Sequence, residues 1–308
     1  MKRVVIWGIG NDYEKIVNQI KYEELKGNIQ VEALVSRRDL NWCDHRDGYL
    51  LISKEELCGK EYDFLIIASS KFYSDIKKEA IELNIPEHKI IDGSIFNMPL
   101  FDFKRYMSLL DDPVTIWSDD CWGGYVYHSL KLPFTSPCIN IWWPRDSYMK
   151  FIQNPIYYIE QPLEVLDVGD LRKNSVPKGK IGIGDEQIQM EFLHAPTFEK
   201  AREQWDKRKK RINKNRMFFK LGLPANNKCC EQYLRIFDKI PFPKICFYSG
   251  HTEKKDVVYL KRFEWYAYQW EYAEDLDFTT YTRKLEKLYK DIDILKLLNG
   301  EDYIRESS

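Results

Sequence analysis

The feature that most constrains the fold is the opening run RVVIWGIGNDYEKIVNQI, residues 3–20. An unbroken apolar row reads as a buried strand, Gly8 and Gly10 as a turn, and Ile16, Val17 and Ile20 as one face of a helix. IQVEALVS follows as a second strand, and YDFLIIASS, FYSDIKKEAIELNI and HKIID read as strand, helix and short strand. Parallel strands need a crossover, so this alternation predicts a parallel sheet with covering helices. The expected fold class is therefore α/β: a Rossmann-like parallel-sheet domain over 1–98, then a larger second α/β domain with a mixed sheet over 99–308. A chain of 308 residues is long enough for two such cores.

Gly8 and Gly10 stand where G-x-G-x-x-G places its first two glycines, and Asn11 opens the helix behind them. That geometry brings backbone amides to a pyrophosphate. The third position is Tyr13, and the second strand ends in Ser36-Arg37-Arg38 where an acid would take a ribose diol. Two cations there suit a 2′-phosphate, so the cofactor expected at this turn is NADP or a nucleotide-sugar. Glycines kept only for turn sterics are the competing reading.

In the second domain, strands are expected at VTIWS, CINIWW, IYYIE, KIGIG, IQMEFLH, RMFFKL, KICFYS and DVVYLK. Helices are expected near Lys104–Leu110, at YVYHSL, FEKAREQWDKRKKRI and CEQYLRIF, and at the C-terminal TRKLEKLYKDIDILKLL. The stretch WSDDCWGGYVYH, 117–128, admits three readings. As a thiol site, Cys121 at a helix start gains from the helix dipole, although Asp119 and Asp120 oppose it. His194, at a strand end, would be its base, with Asp120, Asp167 or Asp170 as orienting acid. Trp122, Gly123 and Gly124 would then shape the substrate approach. As a metal site, the Asp119–Asp120 pair would present carboxylates to a divalent ion on a diphosphate, as in metal-dependent glycosyltransferases. As plain structure, an aspartate caps the helix, Trp122 anchors a core and Cys121 is a small buried hydrophobe.

TFEKAREQWDKRKKRINKNR sets Phe198, Ala201, Trp205 and Ile212 on one stripe behind a Thr197 cap and surrounds them with cations. Arg208 and Arg211 are candidate anion contacts, the alternative being a solvated face. His251 and Asp256 fall in a turn with no diagnostic spacing. The formal net charge of −1 argues against nucleic acid as a partner. No apolar run approaches the roughly 20 residues of a membrane helix, so no span is expected, though peripheral association is open. Seven irregularly spaced cysteines, no leader-like N-terminus and no CxxC pair predict a reducing cytoplasm and no structural metal.

DDCWGGYVYHSLKLPFTSPCINIW, MEFLHAPTFEKAREQWDKRKKRIN and HTEKKDVVYLK together resemble the signature blocks of a bacterial family, domain of unknown function nineteen-nineteen. Its members are commonly labelled exopolysaccharide biosynthesis proteins. The resemblance covers 101–260, while the N-terminal part resembles Rossmann-like modules of polysaccharide-assembly proteins. It implies cytoplasmic work on surface polysaccharide and carries over no catalytic residues. The expected function is thus a transferase acting on an activated sugar or sugar-bearing acceptor through Cys121 and His194. An NADP-dependent oxidoreductase, a non-catalytic nucleotide-sensing scaffold and a metal-dependent glycosyltransferase are the alternatives.

Overall fold

The structure is a computed structural model that describes residues 1–36, 45–98, 100–169, 175–223, 228–248, 250, 252–254, 256–259 and 292–303. Arg37, Arg38, Asp170 and His251 lie outside the described residues, as does most of the expected C-terminal helix; its described part is a short helix, Ile294–Leu298. The chain divides into two compact units, one of Met1–Met107 with the piece 292–295, the other beginning at Ser108.

The first unit is built on a six-stranded sheet of order β3-β4-β2-β1-β5-β6. Strands β1 (Lys2–Trp7), β2 (Ile29–Val35), β4 (Tyr49–Ile52), β5 (Phe64–Ile67) and β6 (Ile90–Asp92) are mutually parallel. The side chains of β1 alternate between two covered faces. Val5 and Trp7 pack with Ile76 and Ala80 of helix α2 (Tyr73–Glu82), next to Leu65 and Ile67. On the other face Ile66 and Ile16, the latter from helix α1 (Asn11–Leu25), close on Gly93. Both faces are buried, which is why Val4–Trp7 is continuously apolar rather than alternating. The chain lays β2 and β4 on one side of β1 and then β5 and β6 on the other, so the order reverses between β1 and β5.

Two strands of this unit were not anticipated. Strand β3 (His45–Arg46) forms a tight hairpin with β4, turning through Asp47 at φ +55° and Gly48 at φ +93°. An Asp-Gly pair with both φ positive is the turn whose twist matches antiparallel strands.

In the second unit, strands of the two directions separate into two sheets. A parallel sheet runs β14-β13-β12-β7, with β7 (Thr115–Ser118), β12 (Met217–Leu223), β13 (Lys244–Tyr248) and β14 (Val257–Tyr259). An antiparallel sheet runs β8-β11-β10-β9, from β8 (Ile141–Trp142), β9 (Glu164–Asp167), β10 (Lys178–Ile181) and β11 (Ile188–Phe192). One core joins them, including Trp117, Phe219, Met190 and Phe192, with Trp205 of the basic helix α7 (Phe198–Lys209). Thr197 caps α7 by accepting from the Lys200 N–H at 3.3 Å.

Helices α3 (Phe103–Asp111), α4 (Trp122–Ser129) and α8 (Cys230–Asp238) form where the sequence places helices, and α5 (Arg145–Phe151) is an addition. The strand expected at IYYIE is instead helix α6 (Pro155–Glu160). Its aromatic and β-branched residues favour strand, but Asn154 accepts from the Tyr157 N–H and Pro155 occupies the first turn, which starts a helix. Tyr158 and Ile159 are then buried by packing that outweighs propensity.

Candidate functional site

In the first unit a cleft of about 630 Å³ opens at the carboxyl ends of the parallel strands, where the strand order reverses. This is the place where open α/β sheets take ligands, and the size falls within the range of small-molecule sites. Gly8 turns the chain at φ +110°, and a Cβ there would lie 2.9 Å from the carbonyl oxygen of Ala68. Only glycine lets the first turn approach the end of β5 so closely. Gly10 is the N-cap of the 15-residue α1 and supplies no side-chain cap, so the first amides of the helix carry no side-chain acceptor from that position. Gly8, Gly10 and Asn11 all line the cleft.

Beside this turn the cleft is lined by apolar Trp7, Ala68, Phe72 and Ile76 and by the cations Lys15, Lys71 and Arg46. Asp12 ties the two loops together. Its carboxylate accepts from the Ser70 N–H at 2.8 Å, the Ser70 hydroxyl at 2.6 Å and Lys15 Nζ at 2.8 Å. Lys15 first, and Ser70 after it, hold Asp12 down at about 2. Arg46 is a cleft residue that the sequence reading missed. It donates to the Ile9 carbonyl at 2.5 Å and to Glu14 at 2.9 Å, and its guanidinium lies 5.2 Å from the centre of the Tyr13 ring. Tyr13, in the third glycine position, is fully buried and donates to Asp47 at 3.0 Å. A large residue there therefore fastens the β3–β4 hairpin, and through it Arg46, to the glycine turn. The Asp47-Gly48 pair was the signal that would have revealed this.

In the second unit the DDCW stretch follows β7. Asp119 is 4% exposed and its oxygens are fully engaged: Lys220 Nζ at 2.9 Å, the Gly222 N–H at 3.0 Å and the Arg145 guanidinium. Asp120 accepts from the Trp122 N–H at 2.9 Å and the Ser118 hydroxyl at 3.1 Å, and its other oxygen accepts from Lys220. Burial works to raise the Asp119 carboxyl, but Lys220 and Arg145 outweigh it and hold it low. For Lys220 burial works downward, and the two aspartates reverse it. Two carboxylates and two cations thus neutralise each other. The divalent-ion reading of the aspartate pair is corrected accordingly, because a lysine ammonium already bridges the two carboxylates. Among the described residues, no group of three or more His, Cys, Asp or Glu side chains converges to hold a metal.

Cys121 also needs correction. It is 3% exposed, and burial first and Asp120 second push its thiol up to about 12, the opposite of an activated thiolate. Asp120, one residue before the N-cap Cys121, is held by the Trp122 N–H and Lys220 and does not orient a base. Trp122 is buried, stacked at 6.0 Å on Phe218 and tilted at 6.0 Å to Phe247, so it walls a core rather than a substrate. Added Cβ atoms on Gly123 and Gly124 would meet Ile116 at 3.1 Å and Ile139 at 3.3 Å, so this pair lets α4 sit closely on its neighbours.

His194 is exposed, and it lines a slot of about 20 Å³ together with Asn140, Gln204 and Arg208; Cys121 is not among the lining residues. Arg208 is half-buried, with its guanidinium 5.5 Å from the centre of the Phe134 ring and Nη1 3.4 Å from the Ile139 carbonyl. Arg211 reaches the Phe134 carbonyl at 3.4 Å.

Comparison with known proteins places the second unit first. Residues 93–299, more than half of the chain, match the model of the family described as Domain of unknown function (DUF1919). The chain belongs to the DUF1919 family. Residues 1–91 match a second model, described as C2185-like, N-terminal. A similar curated protein, an "Uncharacterized protein" of Haemophilus influenzae (strain ATCC 51907 / DSM 11121 / KW20 / Rd), is 26% identical over 193 residues, 62% of this chain and 86% of that protein. Among solved structures, a D-galactose-1-dehydrogenase protein from Rhizobium etli aligns over 81% of this chain and 97% of its own at 10% identity, with a TM-score of 0.21. A likeness of that size carries no argument about this DUF1919 chain. No helix among the described residues is long and apolar enough to cross a membrane.

Proposed function

We propose that this DUF1919 protein binds the nucleotide of an activated sugar in its N-terminal cleft and serves as a transferase in the assembly of surface polysaccharide in the cytoplasm. The observation that carries the binding step is the cleft itself: at the strand-order reversal it is lined both by apolar Phe72 and Ile76 and by the Gly8–Asn11 turn with Lys71, Lys15 and Arg46, the last two paired with Asp12 and Glu14. An apolar ring joined to a diphosphate fits both kinds of lining. Ser36 closes β2 where NAD-binding folds use a carboxylate for the adenosine ribose, which argues for a nucleotide-sugar over NAD. The polysaccharide setting is inferred from the label common in the family.

Calorimetric titration of the whole chain with UDP-glucose, UDP, NADPH and NADH tests this reading. Binding of the nucleotide-sugar is expected, with loss in Gly8→Val. If none of the four binds at millimolar levels, the reading is wrong; if NADPH alone binds, the chain is an oxidoreductase or a dinucleotide sensor instead.

A further inference from the structure

We infer that the second unit carries a separate anion slot, lined by Arg208, His194, Gln204 and Asn140 with the exposed Arg211 near Arg208, which takes an oxygen of the phosphoryl group of a phosphomonoester. The slot lies wholly within the second unit and stands independently of the nucleotide reading of the first.

Charge is the first argument. Among the described residues no carboxylate pairs with Arg208 or Arg211, although Lys200, Lys209 and Lys214 nearby in sequence all have acidic partners. Each of the two guanidiniums spends one N–H on a long carbonyl contact of 3.4 Å, out of the five it carries. A half-buried, unneutralised arginine is unfavourable unless something anionic joins it. Burial, and Arg211 after it, lower the affinity of Arg208 for its own proton, as expected of two neighbouring cations. A phosphomonoester carries between about −1.5 and −2 charges at neutral pH, enough to meet Arg208 in the slot and the exposed Arg211 outside it, where a carboxylate carries a single charge.

Size and lining give the second argument. About 20 Å³ holds one or two oxygen-sized atoms and excludes a base or a sugar ring. Only the tip of a ligand enters, and its body stays outside near the exposed His194 and Gln204. The side chains of Asn140, Gln204 and His194 offer N–H donors of the kind phosphate oxygens accept. Asn140 is held at φ +60° while its carbonyl accepts from the Leu193 N–H at 3.0 Å, so the backbone on that side of the slot is fixed in a sparsely populated conformation. This arrangement also gives His194 a role that Cys121 does not supply.

The test is calorimetry on the whole chain with inorganic phosphate, glucose 6-phosphate, glucuronate and glucose at constant ionic strength. Phosphate and glucose 6-phosphate should bind and glucose should not. Arg208→Met should weaken binding about tenfold or more, as expected when one charged partner is lost. Should that variant fold poorly, His194→Gln and Gln204→Leu, both at exposed positions, should each weaken binding about threefold with an unchanged melting temperature. Pelleting with vesicles that contain or lack phosphatidic acid tells a lipid source of the phosphoryl group from a soluble one; pelleting insensitive to these substitutions counts against the slot. Absence of phosphate binding, binding unchanged in all three variants, or equal binding of glucuronate overturns the proposal.

Discussion

The aspartate cluster behind β7 and the arginine pair at the end of α7 contain the same kinds of charge and use them in opposite ways. Asp119 and Lys220, both buried, and the half-buried Asp120 and Arg145 satisfy one another. Arg208 lines a small opening with an aromatic face and a carbonyl for company, and the exposed Arg211, on a carbonyl of its own, adds a second positive charge near it. A buried charge that has its partners is part of the scaffold. One that lacks them at a surface opening marks where something from outside belongs. The family blocks pointed at both places equally, and only the partners distinguish them.

The sharpest way to break this contrast is to remove one member of each group. Lys220→Met leaves the buried Asp119 with Arg145 as its remaining cation and strips Asp120 of its ammonium partner, and should cost about 3–5 kcal/mol, read from denaturant unfolding. Arg208→Met should cost under about 1 kcal/mol, because it removes an unpaired charge rather than a partner. Equal losses in the two variants would erase the distinction between scaffold and site.

A smaller effect concerns Cys121, which belongs to the closed region. With its thiol pushed up to about 12 from 9, the folded state keeps a proton that the unfolded chain releases above pH 9. Stability from this group is therefore full below pH 9 and is lost progressively as pH rises toward 12. Cys121→Ala should flatten that alkaline limb. Iodoacetamide at neutral pH should modify the exposed Cys58 and Cys229 well before Cys121; rapid labelling of Cys121 would restore the nucleophile reading.

Much of the first unit was legible because periodicity is local information. The apolar row of β1, the helical spacing of Ile16 and Ile20 and the glycines between them lie within eighteen residues. The β3–β4 hairpin was not read: Asp47-Gly48 signals its turn, but the short strands beside it gave little pattern. Helix α6 shows the limit of propensity, since Asn154 and Pro155 outweighed the residues they precede. The DDCW stretch misled for another reason. A helix start and two neighbouring acids say nothing of burial, and the lysine that settles the aspartates stands 101 positions from Asp119. Its one visible trace was a lysine in the middle of the apolar strand RMFFKLGL. Arg208 and His194 were both singled out from sequence, but as separate features; only the fold puts them in one slot.

The smallest effect tests the first-unit cleft in the same terms. Asp12 lies at its edge as a partnered charge, held at about 2 against an ordinary value of 3.8 by Lys15 and Ser70. A lowered carboxyl contributes stability above pH 3.8 and loses it as pH falls toward 2. The group is partly open to solvent, so screening leaves about 0.5–1 kcal/mol of that contribution. Asp12→Asn should therefore unfold at slightly lower denaturant than the parent at pH 7, and the two curves should converge as pH approaches 2. The substitution also removes the negative charge paired with Lys15 in the cleft, so nucleotide-sugar affinity at pH 7 should rise modestly while stability falls. If both fall together, Asp12 is a ligand contact; if neither changes, the loop tie between Asp12 and Ser70 contributes nothing in solution and the cleft is held open by Gly8 and the hairpin alone.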